Sequence, residues 1–502
     1  MSTLTLRIDP ERIIGRRDER IYGHFLEHFH RQVYGGIFDP GSALADANGF
    51  RTDVVEALRA IRTPVIRWPG GCFVSSHHWK DAIGPKREAT FDKAWRVEEP
   101  NTFGTDEFMG FCAAVGAAPY ICTNAGTGSA EEMSDWVEYC NLEREGKWAR
   151  QRIANGHPDP YRVRFWSIGN ENYGRWEMGA KSAGEWGRTV LEAAKMMKRV
   201  DPGIEIFAAS LADLDWNLSL LKEAGPFLDW ISIHGYWDPI WTDNKLADYE
   251  TCMAYTMKIE EPIQKARHIL GAMGYLDRIR IAFDEWNLRG WYHPHIHDYA
   301  DVAADVCAAA RDENDRNESY TMADAIFSAC FLNQCLKHCD IVKMANFAPA
   351  VNTRGILYVH PDGLVKRTTY HVFEMFTQSM HEVVVDAYLS GENEFSVRRG
   401  ASEVPVETVD AVATRRLDGR ALAVSLVNKH PEQNRTVEVC LDKLLPNQPV
   451  VLRRLSGDSK DAYNDRDQPE AVRPDRIEYR SGKGMVRVEL PAHSVNVLSI
   501  PL

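Results

Sequence analysis

Two hydrophobic rhythms divide the chain. From about Ile21 to Met380, short apolar runs alternate with stretches of helical periodicity, as in βα units repeated around a parallel sheet. The strand-like runs are Ile21 to Phe25, Pro64 to Trp68, Pro119 to Thr123, Val163 to Ile168, Ile204 to Ala209, Leu228 to Ile233, Arg278 to Phe283 and Asp340 to Asn346. Eight such runs are the number that closes a (β/α)8 TIM barrel. Between them, Thr52 to Ile61, Thr105 to Val115 and Ala183 to Arg199 read as helices, the last stopped by Asp201-Pro202-Gly203. After Met380 the period falls to two, in Val383 to Val385, Ala411 to Ala413, Ala421 to Val427, Val437 to Val439 and Val486 to Leu490. This pattern predicts an antiparallel, jelly-roll-like β-sandwich, and the alternating run Leu4 to Ile8 is expected to join it. The predicted organisation is therefore an N-terminal strand segment (1–19) packed with the sandwich, a catalytic barrel (20–380) and the C-terminal sandwich (381–502).

Composition narrows the class. A chain of 502 residues is too long for one core. Its 59 Lys+Arg against 72 Asp+Glu, a formal charge of -13, argue against nucleic acid or an anionic membrane as partner. The first residues alternate like a strand instead of forming a basic and then apolar leader, and no apolar run approaches the roughly 18 residues of a membrane span. The ten cysteines lie mostly inside apolar stretches, among them Cys112, Cys122, Cys307 and Cys330, as buried thiols in a reducing cytoplasm would. A cytoplasmic enzyme with a neutral ligand is expected.

Two segments carry the chemistry. Trp166-Ser167-Ile168-Gly169-Asn170-Glu171-Asn172 and Ile281-Ala282-Phe283-Asp284-Glu285-Trp286-Asn287 each run from an apolar strand into a glutamate framed by polar and aromatic residues. On the strand count Glu171 follows the fourth strand and Glu285 the seventh, so both face the same end of the barrel. Glycosidic cleavage needs one carboxylic acid to protonate the departing oxygen and one carboxylate to attack the anomeric carbon, about 5 to 5.5 Å apart in a retaining enzyme. Glu171 is assigned as acid/base and Glu285 as nucleophile. The acid is expected to have its pKa raised by its surroundings.

Together with Tyr22-Gly23-His24-Phe25-Leu26-Glu27-His28 and Arg67-Trp68-Pro69-Gly70-Gly71-Cys72-Phe73, these segments resemble the α-L-arabinofuranosidases of glycoside hydrolase family 51 along the entire chain. The resemblance implies a barrel followed by a β-sandwich, a cytoplasmic hexamer, and release of terminal α-L-arabinofuranose from arabinan, arabinoxylan or their oligosaccharides by double displacement. It also implies that Glu27, Cys72 and Asn170 hold the furanose hydroxyls, with Tyr236 near the nucleophile and Arg67 beneath it. His234 joins Tyr236 at the end of the sixth strand. Trp95, Trp237, Trp286 and Trp291 are candidate sugar platforms. Where some relatives carry a sugar-contacting glutamine this chain has Pro349, and Asn352 is the candidate replacement.

Rival readings are weaker. Cys72 with His77 and His78 suggests a thiol nucleophile, but no orienting third group is evident. His293-x-His295-x-His297 alternates like a metal cluster, yet Pro294 and the absence of a carboxylate partner favour a rim loop. Gly126-x-Gly128-Ser129 is too short for a dinucleotide fingerprint, so neither cofactor nor metal is expected. The same glutamate pair also serves barrel β-glycosidases directed at xylan or glucan, the main alternative, because the pair does not set the sugar.

Overall fold

The structure, a computed structural model, describes residues 3–241, 243–293, 304–400, 402–442 and 444–502. The N-terminal strand β1 (Thr3–Arg16) precedes eight barrel strands. These are β2 (Gly23–Phe25), β3 (Val65–Trp68), β4 (Ala118–Thr123), β5 (Phe165–Ile168), β6 (Glu205–Ala209), β7 (Trp230–Asp238), β8 (Arg280–Arg289) and β9 (Val342–Phe347). All pair in parallel, and β9 closes the ring on β2 through Asn346 opposite Gly23. Inside the ring, Val65, Tyr120, Phe165, Phe207, Trp230, Ala282 and Met344 form a packed plug beneath the catalytic face. Outside it, the strands' other faces meet the helices in one large core, into which Trp68, Trp136, Trp166 and Trp186 are buried.

Three differences from the sequence pattern have local causes. The first strand is shorter than the apolar run, because Asp18 accepts a hydrogen bond from the Arg20 amide and starts a 3-10 turn over Glu19–Tyr22. Strands β7 and β8 run on past their apolar segments, pairing His234 with Glu285 and Tyr236 with Asn287. Hydrophobicity cannot mark that extension, since it alternates polar residues that face the site, His234, Tyr236 and Glu285 among them, with aromatic ones. A register break between Phe283 and Glu285 interrupts β8. Neighbouring side chains of a regular strand point to opposite faces; the irregularity lets Asp284 and Glu285 both turn into the barrel.

Among the helices, Ala183–Val200 begins with a capping box in which Ser182 and Glu185 satisfy each other's backbone amides. The strands of the C-terminal sheet are β10 (Val383–Ser390), β11 (Val409–Arg415), β12 (Ala421–Asn428), β13 (Arg435–Cys440), β14 (Pro449–Leu455), β15 (Pro474–Arg480), β16 (Met485–Leu490) and β17 (Ser494–Pro501). With β1 they form one nine-stranded sheet in the order β15-β14-β17-β12-β11-β10-β1-β13-β16. The expected antiparallel pairing holds at every described ladder of this sheet except β1 with β13, which is parallel from Thr3 opposite Thr436 to Arg7 opposite Cys440. The edge strands β15 and β16 touch, so the sheet rolls around an aliphatic core that includes Leu4, Leu6, Leu422, Val424, Leu426, Val437 and Leu498. The opposite face of β12 supplies Ala423 and Val427 to the barrel's core. Burial on both faces explains the unbroken apolar run there. The seam is tied by Tyr249 to the Lys429 carbonyl at 3.0 Å and by Asn333 to Asp410 at 2.9 Å.

Candidate active site

The site is built around Arg67, which β3 delivers fully buried to the top of the barrel. Its Nη1 donates to Glu285 Oε1 at 2.6 Å, its Nη2 to Asn170 Oδ1 at 2.9 Å, and its Nε lies 3.4 Å from Asp284 Oδ2. Burial opposes the guanidinium charge, but Cys122, Asp284 and Glu285 outweigh it and raise its pKa well above the usual range. Tyr236 donates its hydroxyl to the other Glu285 oxygen at 2.8 Å. Asp284 lies below, taking hydrogen bonds from Tyr120 at 2.7 Å and from Ser232. Burial pushes Asp284 up, yet Arg67, His234 and Ser232 hold its pKa down at about 2.

Glu171 leaves β5 through Gly169 (φ +68) and itself adopts a left-handed conformation (φ +44). Such backbone is unfavourable for a residue with a Cβ and clusters at functional sites. Trp176 donates its indole N–H to Glu171 Oε2 at 2.8 Å, and Tyr173 its hydroxyl to Oε1 at 3.3 Å. His234 Nδ1 lies 2.8 Å from Glu171 and 3.5 Å from Glu285, while its Nε2 lies 3.4 Å from Asp284. One oxygen of each glutamate and a His234 nitrogen fall within 4.8 Å of one another. Burial disfavours charge on His234, but Glu285, Asp284 and Glu171 overcome it and raise its pKa to about 10. Burial pushes the Glu171 carboxyl up, and the hydrogen bonds from His234, Trp176 and Tyr173 more than offset this, leaving it below the usual carboxylate range. The expected raised carboxyl is therefore not found at Glu171. Both shifts favour the proton on the imidazole that bridges the two glutamates.

Glu27 sits one layer below. Its Oε1 accepts from the Gly71 and Phe73 amides at 3.0 and 3.1 Å and from the Trp95 indole at 3.3 Å, while Oε2 has no hydrogen-bond partner among the described residues. Burial, then the charge of Glu285, pushes its pKa well up. Glycine is required at position 70, where a Cβ would stand 2.4 Å from Glu27 Cγ. Burial, followed by Glu177, Glu171 and Glu27, likewise pushes the Cys72 thiol up. His77 stacks on Phe73 and His78 pairs with Glu132, so among the described residues no histidine activates Cys72 as a nucleophile.

A cavity of about 270 Å³ opens above this network. Of the predicted residues, Cys72, Trp95, Asn170, Glu171, His234, Tyr236, Glu285 and Trp291 line it, and Glu27 and Arg67 support it by hydrogen bonds. Three predicted residues are not brought there. Trp237 packs on Phe327 and Phe331, and Trp286 is buried with its ring stacked 3.7 Å from Phe331. Asn352 is buried and spends its amide on the Arg31 carbonyl and the Val359 amide, so it cannot stand in for a sugar-contacting glutamine. His293 is buried against Phe29, His30 and Trp95, while His295 and His297 lie outside the described residues. Tyr173, Trp176 and Trp241 line the cavity without having been singled out, because an aromatic residue in a loop carries no periodic signal. Asp284 was legible only as the neighbour of Glu285. Among the described residues, two side-chain groups have donor atoms close enough to chelate a cation, Cys72–Glu171–Glu177 and Glu171–His234–Glu285.

A closed parallel barrel with two carboxylates this close, at the ends of its fourth and seventh strands, defines a barrel glycoside hydrolase. Residues 57–253 match the alpha-L-arabinofuranosidase 1 domain and residues 284–494 the alpha-L-arabinofuranosidase C-terminal domain. The chain belongs to the α-L-arabinofuranosidases of glycoside hydrolase family 51. It is 34% identical over 482 residues to alpha-L-arabinofuranosidase C of Emericella nidulans, covering 91% of this chain and 90% of that one. It is 33% identical to the intracellular exo-alpha-(1->5)-L-arabinofuranosidase of Halalkalibacterium halodurans, covering 86% of each. Among solved structures, the arabinose complex of the Thermotoga maritima alpha-L-arabinofuranosidase superposes with a TM-score of 0.88 at 34% identity, covering 100% of both chains.

Proposed function

We propose that the protein is a retaining, exo-acting α-L-arabinofuranosidase, with Glu285 as nucleophile and Glu171 as acid/base. The observation that carries this reading is the approach of the two glutamates, with oxygens within 4.8 Å and one imidazole bridging both. An inverting enzyme needs roughly 6.5 to 9.5 Å between its carboxyls to admit a water. The cavity is near the lower end of the roughly 300–1,000 Å³ range of ligand pockets, which suits one terminal sugar.

In the first step Glu285, held by Arg67 and Tyr236, attacks the anomeric carbon and forms a glycosyl ester. The departing oxygen takes its proton from Glu171, which draws it from His234. Forming the ester removes the negative charge of Glu285, the largest influence favouring the imidazolium, so His234 gives up its proton more readily as the bond breaks. In the second step Glu171 takes a proton from water as the water oxygen attacks the anomeric carbon, the bond to Glu285 breaks and returns its carboxylate, and the proton is held by the His234–Glu171 pair. Glu27, through its free Oε2, Asn170 and Cys72 hold the furanose hydroxyls, with Trp95 and Trp291 as walls. The sugar is assigned from the relatives' names, which are arabinofuranosidases throughout the first matches.

The chain is divided into a strand segment 1–19, a barrel 20–380 and a sheet domain 381–502. A cytoplasmic hexamer is the proposed working form; the Halalkalibacterium relative is named as intracellular, and no helix among the described residues is long and apolar enough to cross a membrane. The test compares hydrolysis of aryl α-L-arabinofuranoside, β-xyloside and β-glucoside, following the first product by NMR. Rapid release from the arabinofuranoside with retained configuration is expected; preference for either β-glycoside, or inversion, would contradict the reading.

A further inference from the structure

Glu177 is a carboxyl within reach of the site that the proposed reaction does not use. It lies six residues beyond Glu171 in the same loop, in a turn closed by its own amide on the Gly174 carbonyl (3.1 Å) and by the Ala180 amide on its carbonyl (3.2 Å). The residue is 3% exposed. Asn170 Nδ2 donates to Glu177 Oε2 at 3.3 Å, and Ser75 and Cys72 stand against the carboxyl. Its oxygen, the Cys72 sulfur and an oxygen of Glu171 lie within 4.8 Å of one another. Asn170 also accepts from Arg67, and Arg67 holds Glu285, so an unbroken hydrogen-bonded chain joins Glu177 to the nucleophile. No cation pairs with Glu177 among the described residues. A buried carboxylate without a cation is costly, whereas the neutral acid is not.

We propose that Glu177 is a positioning residue of this site, a neutral buried acid that fixes the Asn170 amide and the Cys72 thiol toward the furanose and releases both when it ionises. This rests on the reading of Asn170 and Cys72 as sugar contacts. As an acid, Glu177 accepts from one Asn170 hydrogen, leaves the other for a sugar hydroxyl, and directs its own O–H toward Ser75 and Cys72. As an anion it only accepts. The thiol hydrogen then turns to the carboxylate and the Asn170 amide is drawn back from the sugar.

The ionisable groups facing it are Glu171 from its own loop, Cys72 from the turn after β3, and Glu27 from the segment after β2, all acidic. Arg67 and His234 reach it only through Asn170 and Glu171. Burial first, and the charge of Glu171 with it, pushes the Glu177 pKa up to about 8 despite its polar neighbours Ser75, Cys72 and Asn170. The active form is thus the protonated one, present below that pH and lost above it.

The experiment follows kcat and KM on an aryl α-L-arabinofuranoside from about pH 5 to about pH 10 for wild type, Glu177→Gln and Glu177→Ala. Glutamine keeps one acceptor and one donor but cannot ionise. Wild-type kcat/KM should fall above about pH 8. Glu177→Gln should start about threefold lower and hold that value through the wild-type fall, while Glu177→Ala should lose about tenfold, chiefly in KM, because Asn170 loses its acceptor. An alkaline limb unmoved in Glu177→Gln, or glutamine as damaging as alanine in folded protein, would overturn the proposal. Infrared difference spectra of the substrate-free enzyme give a second reading. A carboxylic C=O band that titrates near pH 8 in wild type should be missing from Glu177→Gln, and no such band in wild type would also overturn it. Failure of wild type to cleave the arabinofuranoside would instead count against the proposed activity and leave the infrared result standing.

Discussion

The catalytic face of the barrel and the core of the rolled sheet are both buried, yet they are built by opposite rules. In the sheet, alternate residues such as Leu422, Val424 and Leu426 meet Leu4, Leu6 and Leu498, and the buried groups are aliphatic. In the barrel mouth, Arg67, Asp284, Glu285 and His234 are each less than a tenth exposed on their side chains and are held by one another. Burying charge costs several kcal/mol per ion before pairing recovers it, whereas burying a leucine stabilises by roughly 1.5–3 kcal/mol outright. The sheet thus contributes stability through surface removed from water. The barrel mouth gives some of that up to hold charges where a reaction would need them, and leaves Glu27 Oε2 buried without a partner among the described residues.

Substitutions can break this contrast, with effects on turnover that run from complete loss to none. Glu285→Ala should abolish activity on activated and natural substrates alike, since no leaving group replaces the attacking atom. Glu171→Ala should lose about 10²–10⁴-fold on oligosaccharides, while aryl glycosides retain the first step and azide restores turnover. Glu27→Ala should lose about 1.5–3 kcal/mol of transition-state stabilisation if its free oxygen takes a sugar hydroxyl with ionic character, and closer to 1 kcal/mol if it does so as the neutral acid its burial favours. Kinetics near neutral pH distinguish the two. Cys72→Ala should remain active within about tenfold, because a thiol pushed up by burial makes only a neutral contact. Leu426→Ala, at the far end of the scale, should leave kcat and KM unchanged while lowering stability by about 2–5 kcal/mol in denaturant melts. Loss of turnover in a folded Leu426→Ala protein would show that the two regions are not separable.

The same contrast sets the pH response. Asp284 has its folded pKa lowered from 3.8 to about 2, so its contribution is fully present above 3.8 and lost as pH falls through about 2. His234 has its folded pKa raised from 6.5 to about 10, so its contribution is fully present below 6.5 and lost as pH rises through about 10. Thermal melts should therefore weaken at both extremes. Asp284→Asn should flatten the acid side, and an unchanged acid limb in that variant would count against the assignment.

The barrel and the two glutamates were legible in the sequence because apolar periodicity marks strands and each glutamate follows an apolar run. What stayed hidden is polar and non-local. The extension of β7 that carries His234 and Tyr236 lies beyond any hydrophobic signal, although both residues were named as candidates, and the irregularity before Glu285 is invisible to a period-two reading. Trp237 and Trp286 looked like sugar platforms, but strand geometry turns both into the helix layer, where Phe331 receives them. Asn352 had the right chemistry at the wrong place, since the left-handed run Asn352-Thr353-Arg354 spends its amide on backbone partners. The proton on His234 instead of Glu171 follows from three carboxylates converging on one ring, a fact no single segment contains.

The most direct test of the double displacement is covalent capture. A slow 2-fluoro-arabinofuranosyl or cyclitol-aziridine reagent should add one equivalent of mass to the intact protein, and peptide mapping should place it on Glu285. A label on Glu171, Glu27 or Cys72, or no label while turnover is inhibited, would contradict the assignment of Glu285 as the nucleophile.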